Sequence, residues 1–312
     1  MFEQYMRNAL LLIMDHPESG STLMEISKVL ADPDFRAYKL KHCSNQVVHD
    51  FWTKEAEKAG GEAALSNITP YITSKLNQFV ANDIMRPIIG QQKSAFNLRA
   101  VMDDQKILLI NLAKGKIGDL NAYLIGLILV GKILIAALSR TDIPEEERKD
   151  FFLYIDEFQN FITDSIHTIL AEARKYRLCL TIAHQYIGQL VKNQDTSMRD
   201  AIFGTVGTNI AFKIGVEDAE FLAKEFAPVF SPYDLVNMER YSAYIKLLVD
   251  NQTLSPFNLA PDPPKQGNPE RAKAIKELSR LKYGRAKSEI EREILERSKQ
   301  ILGDKPSEPK IE

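Results

Sequence analysis

Apolar residues in the first 82 positions recur at three- and four-residue spacing, as at Ile72, Leu76 and Phe79. This spacing places them on one face of a helix, and no β-rich run interrupts the pattern. A capping residue or a proline indicates three helix starts, at Ser21–Thr22, Asp32–Pro33 and Thr69–Pro70. The first third of the chain is therefore predicted to be all-helical.

From about residue 106 the pattern changes to short apolar runs that alternate with helical stretches. A long helix is predicted to end near Arg140, and another helix begins at Asp164. The runs predicted as strands are KILLIN (106–111), FFLYID (151–156), LCLTIAH (178–184), GTNIAFKI (207–214) and YSAYIKLLV (241–249). This alternation is typical of an α/β fold in which helices cover both faces of a mainly parallel sheet.

The segment after Pro256, NLAPDPPKQGNP, has four prolines and is predicted to be a stiff linker. The charged tail from Glu270 to Gln300 has the apolar spacing of a marginal amphipathic helix. We therefore expect three parts: an all-α domain over 1–95, an α/β core over 96–258, and a linker with a helical tail over 259–312. The tail is predicted to be a solvated helical face, with contact to DNA or to an accessory protein as the alternative.

Composition and charge set limits on location and partners. With 45% hydrophobic and 26% charged residues the composition is that of a soluble globular protein, and the net charge of -2 gives no overall basic field. Any nucleic-acid contact must then come from a local patch or from a ring of subunits. The chain has only two cysteines, Cys43 and Cys179, which predicts buried thiols in a reducing, cytoplasmic compartment and not a disulfide framework. The apolar stretch Ala122–Leu138 is short and contains Lys132, which favours a core helix over a membrane span.

The clearest chemical signal is the pair Asp156 and Glu157, which directly follows an apolar strand. Ligands of doubly wound sheets bind at the carboxyl ends of the strands, so these acids would face a bound nucleotide. One acid could then hold Mg²⁺ while the other polarises the attacking water. A buried strand that simply ends in a solvated turn is the alternative.

Two further positions strengthen the nucleotide interpretation. Gln185 follows the next predicted strand, where its amide could hydrogen-bond both a water and a γ-phosphate. Arg174 and Lys175 lie in the last turn of the intervening helix. They are either favourable charges at a helix C-terminus or, for Arg174, an arginine finger that reaches a neighbouring subunit.

The runs YIDEFQNF, ARKYRLCLTIAHQY and AFKIGVEDAEFLAKEF resemble the conjugative coupling-protein ATPases of type IV secretion, within the HerA and FtsK superfamily. The resemblance covers roughly residues 1–258. It implies a RecA-like P-loop core in which Asp156 and Glu157 form Walker B, with Asp156 holding Mg²⁺, Gln185 as the sensor of ATP and Arg174 as the trans finger. Relatives often have a small residue where Arg177 stands and arginine where Lys213 stands, which weakens Lys213 as a finger.

The resemblance also implies partners and a location. These are single-stranded or relaxase-linked DNA, further copies in a hexameric ring, and components of the type IV secretion channel. The protein is expected in the cytoplasm, at the inner face of the membrane through an anchor that is not in this chain.

A phosphate-binding loop of the form G-x-x-x-x-G-K-[ST] is absent from the 312 residues. GLILVGKI (126–133) places Ile133 where the hydroxyl belongs and lies in a helical run, and KGKIGD (114–119) lacks both the upstream glycine and the hydroxyl. In the resembled family this Walker A loop precedes the helical domain, so an upstream segment is an expected partner. Without it the chain is not expected to hydrolyse ATP.

Three functions follow from these features. The first is the Walker B half of an ATP-driven DNA translocase of conjugation. The second is a non-catalytic scaffold or remnant subunit of a secretion assembly. The third is a chromosomal DNA translocase of the same superfamily.

Overall fold

A computed structural model of the chain describes residues 2–56 and 61–303. The chain forms two compact units. Met1–Phe96 with Glu270–Glu312 make one unit, which we call the helical unit, and Asn97–Pro269 make the other, which we call the α/β unit.

The helical unit consists of helices and short turns throughout its described residues. A π-helical turn over Phe51–Glu55 follows the fourth helix. Its helices are α1 (Phe2–Asp15), α2 (Leu23–Ala31), α3 (Pro33–Lys41), α4 (Gln46–Asp50), α5 (Gly61–Val80), α6 (Met85–Ile89), α14 (Pro269–Tyr283) and α15 (Lys287–Gly303). The prediction of an all-helical first third is thus confirmed for the residues that are described.

Two of the three predicted helix starts are confirmed, and the third is wrong. Thr22 caps α2 in a capping box with Glu25, and Asp32 caps α3. Pro70 instead lies inside α5, and the Thr69 hydroxyl donates a hydrogen bond to the carbonyl of Leu30 (3.3 Å) rather than capping a helix. Because α5 packs its apolar face into the core, tertiary packing offsets the one hydrogen bond that the proline removes.

The C-terminal tail forms two helices that differ in their packing. In α15, Ile290 and Ile294 are buried, and Arg297 reaches the buried carboxylate of Glu25 (3.0 Å) and the carbonyl of Gly90 (3.0 Å). The apolar residues of α14 are exposed instead: Ile275, Leu278 and Leu281. The prediction of a solvated helical face is therefore wrong for α15, which packs within the helical unit.

The α/β unit begins with helices and continues with alternating helices and short strands. Its helices are α7 (Leu98–Asp103), α8 (Lys114–Ile117), α9 (Asp119–Leu138), α10 (Asp164–Glu172), α11 (Ser197–Thr205), α12 (Val216–Phe226) and α13 (Pro232–Val236). Its strands are β1 (Phe151–Ile155), β2 (Leu178–Ile182), β3 (Asn209–Ala211), β4 (Ala243–Lys246), β5 (Leu248–Val249), β6 (Gln252–Thr253) and β7 (Phe257–Leu259).

The parallel sheet is smaller than the sequence predicts. β1 and β2 pair in parallel, with Phe151 opposite Leu178 and Ile155 opposite Ile182. β3, β4 and β7 form a separate antiparallel sheet, and β5 with β6 form a hairpin. The side chains of β4 are alternately buried and half-buried, which is the pattern of an antiparallel strand with one face on the core.

The prediction of a strand over 106–111 is wrong. These residues form no ladder with any strand in the described part of the chain. Ile107 and Leu109 are 90% and 85% exposed. A strand requires a neighbouring backbone to receive its hydrogen bonds, and apolar composition does not supply one.

One face of the parallel sheet is open. Phe152, Tyr154 and Cys179 are exposed there. Cys43 is half-buried, so the prediction of two buried thiols is wrong for Cys179 and is met only in part by Cys43. Parallel sheets are normally covered on both faces. β1 and β2 are thus a sheet with one uncovered side.

Helix α9 matches the long helix predicted from the sequence. By length and hydropathy the segment Asp119–Asp142 could cross a membrane, yet one face of α9 is buried within the α/β unit. Gly126 sits on that face, where a Cβ atom would lie 2.1 Å from Cε1 of Phe161. The glycine lets α9 pack directly against the turn that follows β1.

Candidate functional site

The turn after β1 carries the two acids and is fixed by main-chain hydrogen bonds. The amide of Ala183 donates to the carbonyl of Ile155 (3.0 Å), and the amide of Phe158 donates to the carbonyl of Ala183 (2.9 Å). These bonds extend the contact between the two chain segments past the end of the strands. Between them Glu157 adopts a left-handed φ of 51°, an uncommon conformation for a residue with a side chain.

The side chains of Glu157 and Gln185 are joined directly. Gln185 Nε2 donates to Glu157 Oε1 (2.8 Å), and Gln159 Nε2 donates to Glu157 Oε2 (2.5 Å). Both donors stabilise the ionised carboxylate and, with a smaller contribution from the positive charge of Lys114, they lower the pKa of Glu157. Glu157 is thus held as a carboxylate with both oxygens oriented.

Gln185 is positioned by the turn that follows it. Its main-chain amide donates to Oε1 of Gln189 (3.0 Å). The amide of Ile187, further along this turn, donates to the carboxylate of Asp218 on α12 (3.2 Å). The segment after β2 is therefore tied both to itself and to a helix of the same unit, so the amide of Gln185 has a defined direction.

Asp156 lies beside this pair and is exposed. Its Oδ1 accepts a hydrogen bond from the amide of Glu157 (3.0 Å), which fixes the carboxylate at the end of β1. In the turn that follows, Oε1 of Gln159 is buried and has no hydrogen-bond partner among the described residues. Carboxylate and amide oxygens are suitable ligands for Mg²⁺, directly or through water, so the donor set fits that ion.

An open cleft of about 320 Å³ adjoins this edge. It is lined by Lys114, Asp119, Leu120, Tyr123 and Asn160. Asn160 belongs to the turn after β1, and its Nδ2 donates to the carbonyl of Glu157 (3.0 Å). The cleft and the acidic pair are consequently two parts of one surface.

Arg174 is not part of this cluster within the chain. It precedes the first residue of β2, whereas Gln185 follows the last one, so the two lie at opposite ends of the strand. Nη2 of Arg174 donates to Oδ1 of Asn251 (3.2 Å). The structure brings together Asp156, Glu157 and Gln185 and leaves Arg174 apart from them.

Residue-by-residue reasoning did not find Gln159, Asn160 or Lys114. Gln159 and Asn160 lie within the YIDEFQNF run, two and three residues past Glu157, where the turn brings them back to the carboxylate. Lys114 belongs to KGKIGD, a run that lacks the glycine and the hydroxyl of a phosphate-binding loop. Its position beside the acids depends on tertiary structure that sequence spacing does not contain.

Comparisons with known proteins identify a family model and solved structures that this chain resembles. A family model described as the TraM recognition site of TraD and TraG matches residues 150–246, a segment that contains β1, β2 and all three clustered residues. No curated protein sequence matches the chain.

Solved structures of a conjugative coupling protein share the fold. The plasmid coupling protein TrwB in complex with ADP and Mg²⁺ is 13% identical with a TM-score of 0.55, over 86% of this chain and 70% of that one. TrwB with the non-hydrolysable GTP analogue GDPNP is 14% identical with a TM-score of 0.52, over 83% and 68%. The unbound monoclinic form of the conjugative coupling protein TrwBdeltaN70 is 14% identical with a TM-score of 0.56, over 82% of this chain and 62% of that one.

These likenesses confirm the resemblance to the conjugative coupling proteins that the sequence motifs indicate. At this level of identity they establish the fold. The chain spans between 62% and 70% of the length of these three relatives.

Proposed function

We propose that this chain carries the Walker B half of an ATP-driven translocase that moves DNA during conjugation. The observation that carries the proposal is the 2.8 Å hydrogen bond between Gln185 and Glu157, made beside Asp156 at the adjoining carboxyl ends of two parallel strands. A carboxylate oriented in this way, next to a second acid, is suited to bind metal and activate water.

Each residue has a defined role in this proposal. Asp156 would hold Mg²⁺ through water, and Glu157 would orient the attacking water and accept its proton. Gln185 holds Glu157 through one hydrogen of its amide, while the remaining amide atoms can face the water and the terminal phosphate, so that its position depends on the nucleotide. Bound ATP with Mg²⁺ supplies the phosphoanhydride bond that is broken.

Two parts of the proposed site are not supplied by the subunit that carries Asp156 and Glu157. The 312 residues contain no phosphate-binding loop, so another segment must supply the Walker A lysine and hydroxyl. Arg174 lies at the far end of β2, and in a hexameric ring it would serve the nucleotide of a neighbouring subunit.

The match of residues 150–246 supports partners of the conjugation machinery. We propose that the chain binds single-stranded or relaxase-linked DNA, together with a TraM-like protein and components of the type IV secretion channel. The motor would act in the cytoplasm at the inner face of the membrane. This match favours the conjugative branch over a chromosomal translocase.

The second candidate is a non-catalytic scaffold of a secretion assembly, which the lack of a phosphate-binding loop in these residues favours. ATP turnover of the chain joined to a segment that carries this loop distinguishes the two. The motor interpretation predicts turnover that single-stranded DNA stimulates, while the 312-residue chain alone remains inactive. A scaffold predicts no turnover in either protein.

A further inference from the structure

The turn that carries Lys114 is held in an unusual conformation. Ala113 adopts a left-handed φ of 39°, which costs energy for a residue with a Cβ atom, and Gly118 closes the turn with a φ of 83°. The side chain of Asn111 accepts a hydrogen bond from the amide of Ala113 (2.9 Å). At the other end, the side-chain amide of Asn121 donates to the carbonyl of Ile117 (2.6 Å). The turn is therefore built to hold one shape.

This shape directs Lys114 into the cleft beside the acidic pair. Lys114 lines the cleft together with Asn160, whose side chain is bonded to the main chain of Glu157. The main-chain carbonyl of Lys114 accepts a hydrogen bond from the amide of Gly118 (2.8 Å), whereas its ammonium group forms neither an ion pair nor a hydrogen bond among the described residues.

The charge balance of the cleft indicates what this cation can bind. Asp119 lines the same cleft, and Asp156 and Glu157 lie next to it, so Lys114 is a cation beside three carboxylates. A polyphosphate brings several negative charges to such a surface, and Mg²⁺ neutralises only part of them. An ammonium group without a carboxylate partner supplies the remaining charge as a point contact.

We propose that Lys114 is a phosphate-contacting residue, whose ammonium group binds the polyphosphate of a nucleotide held over Asp156 and Glu157. This inference rests on the proposed function and extends it to a residue that no sequence motif marks. This contact differs from that of a phosphate-binding loop, in which backbone amides of a glycine-rich turn surround the phosphate. KGKIGD would supply only the side chain of Lys114. It would supplement the Walker A lysine from the other side of the phosphates.

The first test measures binding of magnesium tripolyphosphate to the 312-residue chain by NMR titration. Lys114→Met should weaken this binding about tenfold, as expected for loss of one charge-assisted contact. Lys114→Arg should restore most of it. The matched control is Lys116→Met, since Lys116 is exposed in the same turn and does not line the cleft; it should leave the affinity within about twofold. Equal affinities of the Lys114→Met and Lys116→Met variants would overturn the inference.

The second test uses the chain joined to a segment with a phosphate-binding loop. There Lys114→Met should raise the KM for ATP about tenfold relative to Lys116→Met. If Lys114→Met has no such effect while Glu157→Gln still abolishes turnover, Lys114 is not a phosphate contact and the proposed function stands. If turnover survives Glu157→Gln, the proposed function fails, and the tripolyphosphate titration still decides the role of Lys114.

A further outcome concerns DNA. If Lys114→Met loses single-stranded DNA binding while its affinity for tripolyphosphate is unchanged, the inference is overturned in favour of a DNA contact.

Discussion

The side-chain amide of Gln185 donates a 2.8 Å hydrogen bond to the carboxylate of Glu157, across the carboxyl ends of β1 and β2. The two residues are 28 positions apart in the chain and meet because their strands are parallel neighbours. This bond joins the residue proposed to activate water with the residue proposed to sense the nucleotide. A change at either position is therefore expected to affect the other.

Replacing Gln185 by alanine should raise the pKa of Glu157 towards its ordinary value, because the largest stabilisation of the carboxylate is removed. Side-chain carboxyl NMR titration measures this change. The control Gln266→Ala, an exposed glutamine of the proline-rich linker, should leave the pKa of Glu157 where it is.

The direction of the pH effect follows from the same bond. Since the pKa of Glu157 is lowered in the folded chain, its contribution to stability is complete above the ordinary value of 4.5 and is lost as the pH falls through the lowered value. In Gln185→Ala that loss should occur at a higher pH. An unchanged Glu157 titration in Gln185→Ala would show that the bond does not control the carboxylate.

Two glycines of α9 should respond to alanine in opposite ways. Gly126→Ala places a methyl group against Phe161 and should lower the free energy of unfolding by about 1–3 kcal/mol, as overpacking does. Gly131 has nothing within 4 Å of the added atom, so Gly131→Ala should stabilise the helix by about 0.5–1 kcal/mol. Urea unfolding of both variants measures the difference. Equal effects at both positions would contradict the close packing of α9 on the turn that carries Glu157.

Much of this arrangement could be predicted from the sequence. Two apolar runs predict the strands β1 and β2: one ends in Asp156 and Glu157, and the other precedes Gln185. Because parallel strands end on the same side of a sheet, the runs also predict that these residues share one edge. The start of α2 was predictable because Thr22 and Glu25 form a local capping signal.

The errors share a different physical origin. The prediction of a strand over 106–111 is wrong because a strand depends on a partner backbone. The prediction of a helix start at Pro70 is wrong because packing outweighs the local helix-breaking effect of a proline. The antiparallel pairing of β3 with β4 and the position of Lys114 are tertiary features. Periodicity along the chain carries no information about them.

The ion pair between Arg297 and Glu25 should be required for the stability of the helical unit. Arg297→Met leaves the nearly buried carboxylate of Glu25 with hydrogen bonds from Thr22 alone, and should cost about 3–5 kcal/mol, as breaking a buried pair does. The control on the same helix is Arg292→Met, since Arg292 is 69% exposed and pairs weakly with Glu296. It should change stability by less than about 0.5 kcal/mol. Chemical unfolding of the two variants compares them, and equal losses would contradict the docking of α15.

The buried Lys39 gives the helical unit a second pH dependence. Its ammonium group donates to the carbonyls of Ile13 (3.2 Å), His16 (2.8 Å) and Gly20 (2.6 Å), and burial lowers its pKa from 10.5 to about 8. Between these two values the unfolded chain binds more protons than the folded chain. The contribution of Lys39 to stability should therefore increase as the pH rises from about 8 to 10.5 and be constant below that range.

Urea unfolding of the wild type and of Lys39→Met from pH 7 to pH 10 isolates this effect, because the other titrating groups are common to both chains. The free energy of unfolding of the wild type minus that of Lys39→Met should increase as the pH rises above about 8. The exposed control Lys41→Met, on the same helix, should give a constant difference. If the same free-energy difference for Lys39→Met is constant or decreases above pH 8, the hydrogen bonds from the ammonium group to the three carbonyls offset the effect of burial on the pKa of Lys39.

The most direct test of the proposed motor is ATP turnover of Glu157→Gln, in the chain joined to a segment that carries a phosphate-binding loop. The substitution keeps the shape of the side chain and removes the base, so turnover should fall by about 10²–10⁴-fold while nucleotide binding is retained. The control Glu147→Gln, in the exposed loop before β1, should match the wild type. Turnover in Glu157→Gln equal to that of Glu147→Gln would contradict the assignment of this strand edge as the hydrolytic site.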